Sequence, residues 1–319
     1  MNPLDQLLSP LDVDRFFVEY WQRKPLYIDG DKDKFANFPG LKELPSVLTG
    51  RLSGSHWTKG HNYNAQASFI DQAGNIRNIN AVPSMWPDLF NAGVSLCFSA
   101  LDQYHEELRR FVQGIASTTR LPGVIVTTGY LTPPFSGSGM HFDSQHAFFM
   151  QVSGKKHWKI SKRTAWQDAP TNIQLSLLAA PGTKACLESM GVAIEPPQET
   201  DLQDITLNTG DVLYLPPGFW HEGRTSDSHS LHYTLTFMPL APWHLLAAYL
   251  RRRCFESSFL RRDLRYAAES GEGNATQLIE AAITELRDTL NRITPNDLEQ
   301  FFSQVTSMGG PFKNHFMQP

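Results

Sequence analysis

Cysteine is sparse: Cys97, Cys186 and Cys254 are the only three, widely separated and odd in number. They supply neither a disulfide framework nor a Cys-x-x-Cys zinc site, and a reducing cytoplasm is the expected location. Long apolar runs are missing too. Even Trp243 to Leu250 falls far short of the ~18–20 residues that span a bilayer, so no membrane is expected as a partner. No charge of one sign dominates: 28 Lys and Arg against 32 Asp and Glu leave a net charge of -4. Nucleic acid is disfavoured as a partner because a broad basic field to hold its phosphates is absent. The start, MNPLDQLLSPLDVDRFF, has acidic residues and proline where a secretory signal carries a basic end and an apolar run, so no export is expected. What the chain does have is bulk for a core. With 41% hydrophobic and 11% aromatic residues over 319 positions, it should fold without staples.

Along the chain, residues 11–29 read as a helix and then a strand, the change falling at Pro25. DQAGNIRNI at 71–79 reads as a hairpin turn between strands. Residues 100–118 carry Leu101, Tyr104, Leu108, Phe111 and Ile115 at steps of three and four, which predicts an amphipathic helix. From 121 to 240 short β-like runs alternate with Gly, Pro and Ser turns, with no long helix, which predicts an antiparallel sandwich or barrel. After Pro242 three helical patterns follow, with Thr294-Pro295 marking the start of the last. The fold class expected is mainly β with helices (α+β), divided into 1–242 and a helical segment 243–319.

One constellation carries chemistry. His141-Phe142-Asp143 is a His-x-Asp, and on a strand residues i and i+2 share a face, so both heads aim at one point. The third member must come from elsewhere. His221 is the candidate, set at the sheet's mouth by the turn Pro216-Pro217-Gly218 after the apolar strand Val212 to Leu215. Two imidazoles and one carboxylate on one face of a metal leave open positions, the arrangement of non-haem Fe(II) oxygenases rather than of structural zinc.

GYLTPPFSGSGMHFDSQHAFFMQVSGKKHWKI at 129–160, GDVLYLPPGFWHEG at 210–223 and LHYTLTF at 231–237, with WQRKPLYI at 21–28, resemble the JmjC, or cupin-like, 2-oxoglutarate oxygenases. Their ribosomal-protein hydroxylase branch is the nearest. The resemblance implies a double-stranded β-helix (jelly-roll) and a helical dimerisation domain behind it. It places Fe(II) on His141, Asp143 and His221, and the distal carboxylate of 2-oxoglutarate on Lys156. That assignment is physically reasonable, since a buried ammonium needs an anion to face it. Further cosubstrate contacts implied are Thr128, Tyr130, Thr234 and Thr236, while Lys155 reads as an exposed turn residue. Relatives of that branch follow the helical domain with a winged-helix domain, where this sequence has helices only.

The function so implied is hydroxylation of an amino-acid side chain in a protein or peptide, such as a ribosomal protein, by a homodimer. Rival readings are hydroxylation of a small peptide or free amino acid in natural-product assembly, N-methyl demethylation, and a metal-free cupin binding module. Phe135, Met140, Phe219 and Trp220 are expected to offer apolar walls to a substrate side chain. Among the other histidines, His146, His157 and His229 read as core or surface residues, and His232 resembles a site-lining position.

Overall fold

The structure is a computed structural model that describes residues 2–41, 44, 65–72, 74–119, 123–239, 241–263 and 275–307. The chain divides into two compact units, Met1–Pro239 and Leu240–Pro319.

At the start of the first unit, α1 (Pro3–Leu8) has proline in its first turn and Asn2 as its cap, the side chain accepting the Leu4 N–H at 3.1 Å. Asp12 does the same for α2 (Val13–Glu19), accepting from Arg15 N at 2.9 Å. Short polar side chains at these positions satisfy amides that the helix itself cannot. Then come α3 (Trp86–Asn91) and α4 (Glu106–Thr119), which buries Leu108, Phe111, Val112 and Ile115. The helix expected from residue 100 begins later. Ala100 adopts φ +55, Leu101–Gln103 form a single 3-10 turn, and the Asp102 carboxylate accepts the Thr127 N–H at 2.9 Å.

Eight strands form one antiparallel sheet in the order β1 (Leu26–Ile28), β11 (Val212–Leu215), β7 (His146–Gly154), β13 (Ser230–Pro239), β5 (Gly123–Thr132), β4 (Ser95–Phe98), β2 (Ala65–Ile70) and β3 (Ile76–Ala81). Five form a second sheet: β10 (Leu202–Leu207), β8 (Lys156–Thr164), β12 (Phe219–Arg224), β6 (His141–Phe142) and β9 (Ile173–Gln174). The chain passes from the first sheet to the second between β7 and β8 and again between β11 and β12, then returns between β12 and β13. This is the winding of a double-stranded β-helix. The expected hairpin is β2–β3, with Asp71 accepting from Asn75 N at 2.8 Å and Arg77 Nε at 2.7 Å. One element of the β-rich region, α5 (Pro181–Ser189), departs from the strand-and-turn expectation. It buries only Leu187, so its sequence carries little helical stripe to read.

Alternation along the strands assigns two different interiors. Val212 and Tyr214 of β11, Phe148 and Met150 of β7, and Leu231, Tyr233, Leu235 and Phe237 of β13 join the core that also holds Leu4, Leu7, Phe16 and Phe111. Their neighbours Leu213, Leu215, Ala147 and Phe149 turn the other way, packing with Trp158, Ile160 and Leu207 between the sheets. On β13 that second face carries His232, Thr234 and Thr236 instead of aliphatic residues. A polar row facing the space between two sheets requires hydrogen-bond partners there.

The second unit contains α6 (Pro242–Glu256), α7 (Ala275–Arg292) and α8 (Pro295–Ser307). α8 starts at Thr294, whose hydroxyl accepts the Asp297 N–H while the Asp297 carboxylate accepts the Thr294 N–H at 2.8 Å. This is a reciprocal cap. α8 packs on α6 through Tyr249 and Phe301, edge to face at 5.6 Å. No described helix is long and apolar enough to cross a membrane.

Candidate metal centre

His141 and His221 face each other across β6 and β12 as directly paired residues, and Asp143 follows His141 at the end of its short strand. Phe219 and His221 flank a break in the β12–β8 register, which re-aims the histidine. Just before it the turn closes on the carboxylate's own backbone, the Gly218 N–H donating to the Asp143 carbonyl at 2.8 Å. Gly218 stands at φ +80, and a Cβ there would lie 2.0 Å from the Trp166 carbonyl oxygen. Only glycine lets the turn approach so closely.

One ligand atom from each of His141, Asp143 and His221 lies within 4.8 Å of the others. The rings of His141 and His221 are 4.3 Å apart, and His221 Nε2 is 3.6 Å from Asp143 Oδ2. Both imidazoles are oriented the same way. His141 Nδ1 donates to the Gly139 carbonyl at 2.7 Å and His221 Nδ1 to that of Phe219 at 2.9 Å. A carbonyl only accepts, so Nδ1 carries the proton in each ring and the Nε2 lone pair is left for the centre of the triad. Burial, then the neighbouring His141, pushes His221 down to about 4. Its imidazole is therefore neutral at neutral pH, the form that binds a metal.

The triad opens into a cavity of about 690 Å³. In the same cavity Lys156, first residue of β8, is 4% exposed. Its ammonium donates to Thr132 Oγ1 at 3.2 Å and lies 5.3 Å over the Trp158 ring. No carboxylate among the described residues pairs with it, and burial lowers its pKa to about 7. Room for its stem comes from Gly223 opposite, where a Cβ would sit 2.9 Å from Lys156 Cε. Around it His232 Nδ1, Thr234 Oγ1 and Trp158 Nε1 are buried with no partner among the described residues. A buried cation, a hydroxyl and two ring nitrogens left unsatisfied in one cavity describe a site built for a polar anionic guest. The triad fits a divalent cation by its donor set, and the Lys156 end fits a carboxylate.

Of the cosubstrate contacts expected, Tyr130, Thr234 and Thr236 line the cavity and Thr128 does not. Sharing a strand face with Tyr130 is not enough to reach it. Thr132, at the other side of Tyr130 on that face, makes the Lys156 contact instead, and the same i+2 step would have found it. Tyr130 hydrogen-bonds with Cys97 and stacks on His232 at 5.0 Å. Cys97 beside it and burial together hold its phenol well above the usual range. His232 lines the cavity, whereas His146 lies in the other core, stacked on Trp21 at 3.8 Å and hydrogen-bonded to the Tyr214 hydroxyl at 2.8 Å. Lys155, His157 and His229 are exposed.

The apolar walls differ from those expected. Phe219 and Trp220 are buried in cores, Phe135 is 81% exposed, and none of them nor Met140 lines the cavity. Ile76, Ile173, Leu177, Leu187 and Met190 do. Amides complete the rim. Gln174 accepts the Ile76 N–H at 2.8 Å and returns a long bond to the Ile76 carbonyl at 3.4 Å. Gln145 Nε2 donates to Ser144 Oγ at 2.7 Å, and Asn172 Oδ1 accepts from Ser144 N at 2.8 Å and from its hydroxyl at 3.0 Å. These residues lie in turns or at strand ends, where the sequence shows no periodicity that would single them out.

Residues 103–242 match a family described as the JmjC domain. The chain is similar to the uncharacterized protein YxbC of Bacillus subtilis, 26% identical over 98% of this chain and 93% of that one. It also resembles the bifunctional lysine-specific demethylase and histidyl-hydroxylase NO66 of Culex quinquefasciatus, 28% identical over 79% of this chain, and ribosomal oxygenase 1 of Gallus gallus, 26% identical over 74%. It spans 37% of the length of each of those two. Among solved structures it resembles Escherichia coli YcfD, a ribosomal oxygenase, in complex with cobalt and 2-oxoglutarate: TM-score 0.52, 17% identity, 78% of this chain and 58% of that chain. Against YcfD with cobalt and succinic acid the TM-score is 0.55 at 18% identity, over 94% and 72% of the two chains. At such identities the likeness is one of fold.

Proposed function

From the match of residues 103–242 to the JmjC domain and the likeness to ribosomal oxygenases, we propose that the chain is a JmjC-type, Fe(II)- and 2-oxoglutarate-dependent hydroxylase of an amino-acid side chain in a polypeptide. The observation that carries the reading is the coexistence, in one cavity, of a His-Asp-His cluster and a buried ammonium without a carboxylate partner. His141, Asp143 and His221 would hold the iron, and Lys156 with Thr132 would receive the distal carboxylate of 2-oxoglutarate. Tyr130, His232, Thr234 and Thr236 would flank that cosubstrate, and Thr128, outside the cavity lining, is the strand partner of Thr234. Together the iron and the keto acid supply what side chains cannot: O2 is split so that one oxygen enters a substrate C–H bond and the other enters succinate as CO2 leaves. The protein's own part is to hold the imidazoles in one tautomer, neutralise the distal carboxylate and present the substrate carbon.

Residues 1–242 form the catalytic part in this reading, and 243–319 a dimerisation part of a cytoplasmic homodimer. Exposed Ile279, Ile283 and Leu290 on α7 support the latter. The substrate follows the relatives, whose names speak of ribosomal and histidyl oxidation. The test is mass spectrometry of the proteome of cells with and without the protein, searching for a peptide that gains one oxygen only when it is present, followed by reconstitution with Fe(II) and 2-oxoglutarate. A protein that consumes no 2-oxoglutarate with any peptide would sink the reading.

A further inference from the structure

The hairpin of β2 and β3 ends one margin of the eight-stranded sheet, and its parity decides which backbone groups of β3 are left over. At the closing turn the Asp71 N–H donates to the Asn75 carbonyl at 2.9 Å. In an antiparallel ladder residues alternate between bonding the partner strand and pointing away from it. Counting from Asn75, the N–H and C=O of Arg77 and Ile79 bond β2, whereas those of Ile76, Asn78 and Asn80 point outward. Ile76 verifies the count, because its outward N–H and C=O are the pair that the Gln174 side chain takes at 2.8 and 3.4 Å. Among the described residues nothing takes those of Asn78 and Asn80.

A bare strand edge is normally blunted by lysine, proline, a bulge or a covering element, because it pairs with any extended chain that reaches it. β3 is not blunted in these ways. Its register with β2 is unbroken, Arg77 to Asn80 are exposed, and its one charge, Arg77, is tied to Asp71 at 2.7 Å on the face away from the cavity. The edge also leads to the metal centre. Gln174, which closes on Ile76 with its side chain, is through its backbone the direct β9 partner of His141 on β6. Ile76 and Asn78 line the cavity into which the triad opens. An extended chain laid along β3 would turn every second side chain to the cavity face, and the intervening ones to the side of Ile79, which is 42% exposed.

We propose that the outward edge of β3 is the docking strand for the polypeptide substrate, which pairs with Asn78 and Asn80 through its own main chain and continues the track that Gln174 begins beside His141. The inference rests on the oxygenase reading and deepens it: the target residue is presented from an extended segment, held by backbone bonds that ignore its sequence, rather than from a helix.

The experiment uses the full chain with Fe(II) and 2-oxoglutarate, and short peptides tiled through ribosomal proteins as probes. Succinate and oxidised peptide are measured with oxygen, and dissociation constants by calorimetry without it. The best probe is then remade with single N-methyl groups along its backbone. Expected is a period of two: N-methylation of alternate amides beside the target residue weakens binding about tenfold, and that of the intervening amides does not. Hydrogen exchange supplies a readout independent of turnover. In the free protein the amides of Asn78 and Asn80 should exchange freely and those of Ile76, Arg77 and Ile79 slowly, and the probe should protect Asn78 and Asn80. Asn78→Pro deletes an outward N–H and no bond to β2, so it should fold and bind the probe about tenfold more weakly. Binding without the period of two, without protection at Asn78 and Asn80, or undiminished by Asn78→Pro would overturn the proposal and leave the oxygenase reading standing. Protection that rises with protein concentration in the absence of peptide would do the same, by assigning the edge to a second copy. No 2-oxoglutarate consumption with any probe would overturn both.

Discussion

Lys156 and the triad differ in what a truncation should reveal. Removing one of three ligands leaves a metal too weakly held, so His141→Ala, Asp143→Ala and His221→Ala should each lose iron on dialysis and lose turnover; one variant that keeps both would refute the assignment. Lys156→Met should keep iron but bind 2-oxoglutarate at least about tenfold more weakly by calorimetry. Its effect on the cosubstrate-free protein should run the other way. Burial lowers the Lys156 pKa from 10.5 to about 7, so the folded state resists protonation that the unfolded chain accepts. The resulting penalty is full below pH ~7 and is relieved as pH rises toward 10.5. Without 2-oxoglutarate, Lys156→Met should therefore melt above the wild type at pH 7 and show a flatter rise of Tm from pH 7 to 10. With 2-oxoglutarate the order should reverse. Residue roles of this kind are only partly legible in the sequence. His141, Asp143, His221 and Lys156 sit in a recognisable frame and Thr132 is one i+2 step from Tyr130 on its strand, whereas the hydrogen bonds among Ser144, Gln145 and Asn172 depend on which loops come together.

Strand alternation made the elements more legible than the residues. Where a buried face repeats every second position, as Leu231, Tyr233, Leu235 and Phe237 do on β13, the intervening His232, Thr234 and Thr236 are assigned to the other side without further information. The α4 stripe was equally plain, but its start was not, because a 3-10 turn and a tertiary bond from Asp102 replace the first helical turn. α5 has one buried residue and so no periodicity to detect. Two substitutions test elements. Gly223→Ala on β12 places a methyl 2.9 Å from Lys156 Cε and should weaken 2-oxoglutarate binding without touching a ligand atom, checked by titration at fixed iron; unchanged affinity would show that the lysine has slack. Thr294→Ala should cost α8 about 1 kcal/mol through loss of its cap, read by chemical denaturation.

At the scale of the whole molecule, the helical unit leaves Ile279, Ile283 and Leu290 between 46% and 48% exposed. Spaced by four and seven along α7, they form one stripe that a second copy would cover. Light scattering should give twice the chain mass at micromolar concentration, and Ile283→Glu with Leu290→Glu should return it to one chain; a wild-type monomer at that concentration would contradict the dimer. In the first unit, the bond between Gln174 and Ile76 joins an end strand of the five-stranded sheet to an end strand of the eight-stranded one across the cavity's rim. The two sheets are thus latched at their free margins by one side chain that imitates a strand partner. A latch of this kind sets the girth of the opening by a reversible bond rather than by the bulk of its walls.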